Sequence, residues 1–172
     1  MTEVVKFHKV SFEQFQMDVN TLGRSLGMDA VDDTGIRERY ESLQLPRRST
    51  AGSAGYDFFF PYKCLEVNPG YRIVVPTGIR AEIDDGWVLV LCPRSSLGFK
   101  YGMRFSNTLG IIDSDFYFAD NEGHIMADIR TDNPFVLTQH DRYMQGILLP
   151  YGVAYGDNVQ TKRTGGIGST GK

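Results

Sequence analysis

Two polar stretches that follow apolar runs carry the side chains best suited to chemistry. Arg94, Ser95 and Ser96 come directly after the apolar run at residues 87–92, so a guanidinium, two hydroxyls and loop amides emerge together at the end of a predicted strand. This combination predicts an anion site, because guanidinium and backbone N–H groups both donate to phosphate oxygens. The same residues are also ordinary turn formers, so the stretch alone does not settle a function.

The second stretch places two carboxylates at alternate positions. Asp113 and Asp115 follow the apolar pair Ile111 and Ile112, and both acids point to one face if the backbone there stays extended. Two like charges side by side favour one protonated and one ionised group, unless a cation or hydrogen bonds compensate. An ionised member of such a pair can act as a base. For an isolated Asp-Ser-Asp sequence, however, a surface turn is the better interpretation.

The glycine-rich C-terminal stretch contains part of a phosphate-binding pattern. Residues 165–172 read GGIGSTGK, which has the spacing of a Walker loop without the final hydroxyl residue or a following helix. We therefore expect residues 160–172 to form a flexible arm whose backbone N–H groups, near Ser169 and Thr170, can fold over a polyphosphate. A frayed terminus is the simpler alternative.

The composition predicts one domain and excludes some classes of partner. The chain has 172 residues, 41% of them hydrophobic, which is enough for one core and too few for two. A net charge of -3 argues against a nonspecific nucleic-acid or membrane-surface binder. Cys64 and Cys92 match no metal-binding spacing, so we expect buried free thiols and a cytoplasmic location. We expect no export, since the first residues lack the layout of a signal peptide.

The elements that must position these residues divide into a helical segment and a β-rich remainder. Residues 4–10 alternate as in a strand. Ser11 and Gln14 form a predicted capping box at the start of a first helix, and a second helix is predicted from Thr34. We interpret residues 11–43 as a helical insert that packs against the main body.

From Pro46 onward the pattern is that of an all-β protein. Short runs rich in β-branched and aromatic residues alternate with Gly, Pro, Asn and Asp, which predicts a sandwich or a jelly-roll-like barrel. Asp141 and Arg142 are expected to form a local ion pair before the last strand. The predicted strands are residues 56–60, 71–75, 79–83, 87–92, 110–112, 125–130, 135–138 and 145–151.

Five short motifs, in this order, resemble those of the trimeric dUTPase family: AGSAGYD, PRSSLG, NTLGIIDSDF, HDRYMQ and GGIGSTG. Each motif is weak alone, but five in order are a strong signal. The resemblance covers roughly residues 45–172, with residues 4–10 as a first strand. It implies a β jelly roll and a homotrimer whose three active sites are each built from three subunits. The implied reaction is Mg²⁺-dependent hydrolysis of dUTP to dUMP and pyrophosphate.

On the nucleoside side, the resemblance assigns roles to four positions. Asp113 resembles the base that aligns the attacking water and also meets the 3′-hydroxyl. Phe116 takes the place of a tyrosine that lies under the sugar and excludes a 2′-hydroxyl. Tyr117 is the alternative there, because residues 116–123 are longer than the usual turn. Asn107 and the backbone of Met126 resemble the groups that recognise uracil.

On the phosphate side, the resemblance implies contacts from Arg94, Ser95, Ser96 and Gln145. Asp57 resembles the carboxylate that holds a magnesium-bound water. In the tail, either Arg163 or Lys162 fills the role of the family's arginine, because the spacing is one residue short. The other tail contacts implied are Gly166, Ile167, Ser169 and Thr170. Ile167 stands where the family carries a phenylalanine that stacks on uracil, so we expect this lid to close less tightly.

Two alternatives remain open. The homologous dCTP deaminases share the Arg-Ser-Ser loop, and Asp128 falls near the position of their catalytic glutamate, although an aspartate is one methylene shorter. Asn107, the Asp-Ser-Asp-Phe pattern and the glycine-rich tail favour the triphosphatase. The other alternative is a regulatory protein that keeps the fold and binds a partner protein through residues 11–43.

Overall fold

The computed structural model describes residues 2–25, 33–161, 163 and 165. Antiparallel strands dominate these residues, and two helices stand between the first and second strands. The strands are β1 Val5–Lys9, β2 Tyr56–Phe59, β3 Cys64–Val67, β4 Ile73–Pro76, β5 Ile79–Ile83, β6 Trp87–Pro93, β7 Arg104–Phe105, β8 Gly110–Ile112, β9 Met126–Arg130, β10 Phe135–Thr138 and β11 Arg142–Pro150. The helices are α1 Phe12–Ser25, α2 Asp33–Glu41 and α3 Ser95–Tyr101, with a 3₁₀ helix at Ser114–Phe118.

The strands pair in four antiparallel groups. The largest sheet has the order β2-β11-β6-β8, and a second sheet has the order β4-β9-β7. The other two groups are two-stranded, β1 with β5 and β3 with β10. β11 pairs with both β2 and β6, with a register shift between Arg142 and Met144. The predicted all-β class with N-terminal helices is confirmed.

The two helices share the core of the strands. Phe15 on α1 and Ile36 on α2 are fully buried, in one apolar cluster with Phe58, Leu89 and Ile129 of the sheets. Each such side chain contributes roughly 1.5 to 3 kcal/mol through burial. The helical segment therefore packs as part of the body, as predicted.

Half of the predicted capping box forms at the start of α1. The Ser11 hydroxyl accepts a hydrogen bond from the Gln14 N–H at 3.1 Å. The Gln14 side chain does not return to Ser11 but donates to Asp18. The Ser11 N–H instead donates to the Glu122 carboxylate at 2.8 Å, so a residue distant in sequence completes the cap.

Some sequence predictions differ from the structure. The stretch after Arg94 is a short helix, α3, and not a loop, and it ends at Gly102, whose φ of 69° suits glycine. The strands β3 and β7 were absent from the prediction. Cys64 is exposed and Cys92 half-buried, so the prediction of buried thiols is wrong for Cys64. Among the described residues, no helix has the length and apolar character needed to cross a membrane.

Candidate active site

A cationic cavity of about 710 Å³ opens where β6 passes into α3. We call it the arginine pocket, and its polar lining includes Arg47, Arg48, Ser49, Arg94, Ser96 and Arg142. Arg94 and Arg142 meet because β6 and β11 are antiparallel neighbours, with the Arg94 N–H donating to the Tyr143 carbonyl at 3.2 Å. Clustered guanidiniums and a hydroxyl suit a polyanion.

A buried carboxylate holds these arginines in place. Asp57 is 7% exposed, and its Oδ2 accepts from Ser49 Oγ at 2.6 Å and from Arg142 Nη1 at 3.1 Å. Arg94 Nε lies 3.8 Å from Asp57 Oδ1. Two guanidiniums thus compensate the charge, as a buried carboxylate requires. The more loosely held Oδ1 retains capacity to accept a further hydrogen bond.

The other predicted phosphate contacts lie around this pocket. Ser96 lines it, and Ser95 is exposed next to it. Gln145 lies opposite Asp57 in the β2–β11 register. A Cβ on Gly55 would come within 2.7 Å of Gln145 Oε1, so this glycine allows the amide to pack closely.

A second cavity, of about 390 Å³, lies beside β8 and β9. We call it the β8–β9 pocket. It is lined by three of the residues predicted for the nucleoside, Asn107, Phe116 and Met126, together with Arg163. Phe116 is 4% exposed, and the Arg163 guanidinium carbon lies 5.1 Å from its ring centroid. Tyr117 instead stacks against Arg80, at 3.6 Å.

The paired carboxylates are compensated by a cation. Asp113 precedes the 3₁₀ helix with extended backbone angles, φ -76° and ψ 158°. Arg163 Nη1 lies 3.2 Å from Asp113 Oδ2 and 3.5 Å from Asp115 Oδ1. This arrangement places one guanidinium against both carboxylates. The tail residues Lys162, Gly166, Ile167, Ser169 and Thr170 lie outside the described residues.

Asp128 is held by partners on both oxygens. Its Oδ2 accepts from Arg72 Nε at 2.8 Å, and its Oδ1 accepts from Ser106 Oγ at 2.7 Å. Asp128 lines the β8–β9 pocket, but a carboxylate engaged in this way is poorly suited to proton transfer. The geometry therefore gives the deaminase alternative no support.

Sequence reasoning missed part of the arginine pocket. Arg48, Ser49 and Arg142 lie outside the predicted phosphate contacts, and the predicted Asp141–Arg142 ion pair is wrong. Asp141 Oδ2 accepts from the Thr138 N–H at 2.7 Å, while Arg142 binds Asp57. The adjacent arginines Arg47 and Arg48, shortly before the first motif, were the available signal.

The all-β fold, the arginine pocket and the aromatic-lined β8–β9 pocket define a nucleotide-binding class of protein. A sequence model of the dUTPase family matches residues 41–171. The deoxyuridine 5′-triphosphate nucleotidohydrolase of Lactococcus lactis is 42% identical over 134 residues, which cover 75% of this chain and 89% of that protein. The Chromobacterium violaceum enzyme of the same name is 33% identical over 154 residues, covering 84% and 99%. The chain belongs to the dUTPase family.

Solved structures agree with this assignment. The dUTPase from Streptococcus mutans superposes with a TM-score of 0.59 at 40% identity, covering 65% of this chain and 89% of that one. A dUTPase from phage phi11 of S. aureus gives a TM-score of 0.61 at 16% identity, covering 92% and 97%, and shows the fold alone. β1, α1 and nearly all of α2 precede the first residue of the family match.

Proposed function

We propose that the protein hydrolyses dUTP to dUMP and pyrophosphate, with Asp113 aligning the attacking water. The observation that carries the proposal is that Asn107, Phe116 and Met126 line one cavity. An amide, an apolar ring and a strand backbone are suited to a base edge and a deoxyribose. Phe116 is proposed to lie under the sugar and exclude a 2′-hydroxyl, because it lines this cavity whereas Tyr117 packs against Arg80.

The arginine pocket is proposed to hold the triphosphate. Attack at phosphorus requires that the anionic oxygens be neutralised and the water be held in line. Arg94 and Arg142 provide the positive charge, and Ser96 provides a hydroxyl donor. Ser95 and Gln145 are proposed as further donors at its edge. A carboxylate base and the positive charge around the phosphates are sufficient for attack by water, so no covalent intermediate is needed.

Mg²⁺ on the phosphate chain fits the residues present. No group of three or more potential metal ligands occurs within the described ranges, so the protein alone does not form a metal cage. Mg²⁺ is commonly held by substrate phosphates and waters with one or two carboxylates. Asp57 Oδ1, at the arginine pocket, is proposed to accept from a metal-bound water. When bound, the ion would neutralise charge on the phosphates.

We further propose a homotrimer with shared active sites. Among the described residues, the arginine pocket and the β8–β9 pocket share no lining residue. Val153 and Tyr155, which follow β11, are 74% and 109% exposed, as expected of a segment covered by another copy. In such an assembly Arg163 would stay on Asp113 of its own chain, and the tail residues beyond it, Gly166, Ile167, Ser169 and Thr170, would close a site on a neighbour. The free thiols Cys64 and Cys92 support a cytoplasmic location.

A regulatory function through a partner protein is the second candidate. It is motivated by α1 and α2, which lie before the region matched by the family model. Only the last residue of α2, Glu41, falls within that region. A surface that serves a partner alone can be changed without loss of hydrolysis, whereas deletion of residues 11–43 would also remove the buried Phe15 and Ile36 from the core. Substitution of exposed residues of this segment, Met17→Ser and Glu38→Ser, with retained activity and loss of a co-purifying protein would support this function.

Pyrophosphate release from dUTP, dTTP, dCTP and UTP with Mg²⁺ tests the proposed activity. We expect hydrolysis of dUTP well above the others, and a fall of roughly 10²- to 10⁴-fold in Asp113→Asn, the range for loss of a general base. Asp115→Asn removes an equal charge held by the same arginine, and it should retain most activity. Ammonia release from dCTP, or full activity in Asp113→Asn, would contradict the proposal.

A further inference from the structure

Helix α1 is anchored to the turn that follows the 3₁₀ helix. The Glu122 carboxylate accepts from the Ser11 N–H at 2.8 Å and from the Ser11 hydroxyl at 2.6 Å. Arg80 lies 3.8 Å from the same carboxylate and donates to the Tyr117 carbonyl. The first turn of α1 and residues 117–122 are thus joined by charge-assisted hydrogen bonds.

About two turns further along, at Asp18, α1 makes a second polar contact, to a buried histidine. His124 has a fully buried side chain, and its Nε2 accepts from the Gly78 N–H at 2.7 Å. Since Nε2 acts as an acceptor, Nδ1 carries the proton and donates to Asp18 Oδ2 at 2.6 Å. Asp18 therefore fixes both the tautomer and the orientation of this ring.

The anchored segment is flanked by two residues of the β8–β9 pocket, Phe116 and Met126. The Ala119 N–H donates to the Phe116 carbonyl at 3.1 Å. Gly123 has a φ of 66°, and a Cβ there would lie 2.6 Å from the Phe116 carbonyl oxygen. On the other side of His124, β9 begins at Met126. The turn held by α1 thus sits directly between Phe116 and Met126.

We propose that α1 is a positioning element for the nucleoside site, with Asp18 and Ser11 fixing Phe116 and Met126 through His124 and Glu122. The inference rests on the proposed function, because it names what sets the sugar selectivity of that site. The apolar face of α1 is buried through Phe15 and Val19, so the helix is rigidly placed against the core. None of the four anchoring groups needs to touch the substrate.

Selectivity between dUTP and UTP tests this proposal, since Phe116 is the residue proposed to exclude a 2′-hydroxyl. Asp18→Ala removes the acceptor of the His124 proton. We expect the ratio of kcat/KM for dUTP to that for UTP to fall at least fivefold, mainly through a higher KM for dUTP. Asp18→Asn should restore the ratio, because the amide oxygen still accepts from Nδ1. Glu13→Ala, on the exposed side of α1, is the matched control.

Hydrogen exchange across residues 114–126 provides a readout independent of catalysis. Protection there should fall in Asp18→Ala and in Ser11→Ala, and stay unchanged in Glu13→Ala. An unchanged dUTP/UTP ratio in both α1 variants, whatever their melting temperatures, would overturn the proposal. If the parent protein hydrolyses no dUTP, the proposed function fails, and the exchange data alone decide whether α1 holds the segment. Unchanged exchange in that case overturns the inference.

Discussion

Arg163 Nη1 lies 3.2 Å from Asp113 Oδ2, and the same nitrogen lies 3.5 Å from Asp115. The guanidinium also lies over the Phe116 ring, and the Arg163 side chain is 13% exposed. One cation from the tail thus contacts both carboxylates and an aromatic wall of the β8–β9 pocket. Of the two cations considered for the role of the family's arginine, Lys162 and Arg163, only Arg163 belongs to the described residues.

Arg163→Ala is expected to lower kcat/KM for dUTP by roughly 10³-fold, the scale of a lost arginine at a phosphoryl-transfer site. Lys162→Ala should stay close to the parent and serves as the control. Steady-state pyrophosphate release measures both variants. A large loss in Lys162→Ala with little change in Arg163→Ala would assign the role to the lysine instead.

Ile167→Phe is expected to strengthen substrate capture. Stacking of a base on an aromatic ring contributes roughly 1 to 3 kcal/mol, so KM for dUTP should fall about fivefold or more. Ile167→Leu adds no ring and is the control. Unchanged kinetics in the phenylalanine variant would show that the tail does not stack on uracil in this protein.

Asp57→Asn is expected to raise the Mg²⁺ concentration for half-maximal activity by about tenfold, the usual cost of losing an outer-shell ligand. The amide keeps the shape of the carboxylate but accepts more weakly from a metal-bound water. Asp141→Asn removes a charge from the same pocket, where Asp141 is already bound by Thr138. Equal Mg²⁺ dependence in the two variants would rule out a specific role for Asp57.

Gly123→Ala is expected to be much more destabilising than Gly70→Ala. Both glycines have positive φ, so each alanine costs about 1 to 2 kcal/mol in strain. Space around Gly70 is open, whereas a Cβ on Gly123 meets the backbone of Phe116 and Tyr117, which adds about 1 to 3 kcal/mol more. Urea unfolding of the two variants measures the difference. Equal losses of unfolding free energy in the two variants would mean that the turn at Gly123 accommodates the added Cβ without extra strain.

The contacts of the Glu122 carboxylate are expected to make the free energy of unfolding sensitive to acid. Partial burial alone would raise the pKa of Glu122, but hydrogen bonds from Ser11 and the charge of Arg80 lower it below the ordinary 4.5. A lowered pKa in the folded state means that the stabilisation is complete above about pH 4.5 and is lost as the pH falls through the folded value. Glu122→Gln should therefore have a lower free energy of unfolding than the parent protein at neutral pH. That free energy should also fall less than the parent's on acidification.

Urea unfolding from about pH 7 down to about pH 3 measures this effect. Glu66→Gln, on an exposed position of β3, should follow the parent curve. A parallel acid loss in Glu122→Gln and the parent would show that the Ser11 contact contributes nothing in solution.

The strands, and the grouping of Asn107 with Phe116 at one cavity, could be predicted from sequence because their signals are local. Alternating apolar residues and turn formers gave most strand positions, and the motif containing Asn107, Asp113 and Phe116 is one short stretch whose residues fold near one another. β3 was missed because Cys64–Val67 has few buried positions. β7 has two residues, too few for any periodicity.

The polar contacts that build the sites are long-range, and sequence patterns carry no such information. Arg142 and Asp57 are 85 positions apart, and Asp18 and His124 are 106 apart. Ser11 illustrates the difficulty well. A local rule correctly made it a helix cap, yet its N–H binds a carboxylate 111 positions away, which no local rule could identify.

Glu122 has a φ of 57°, which is unfavourable for a residue with a side chain, and His124 is a polar ring sealed inside the protein. Both are tolerated because α1 supplies their partners. A relative that lost the helix would keep the positive φ of Glu122, and its His124 Nδ1–H would lose the Asp18 acceptor. The helix and these two residues are therefore expected to be inherited as one unit, so that related chains carry all three or none.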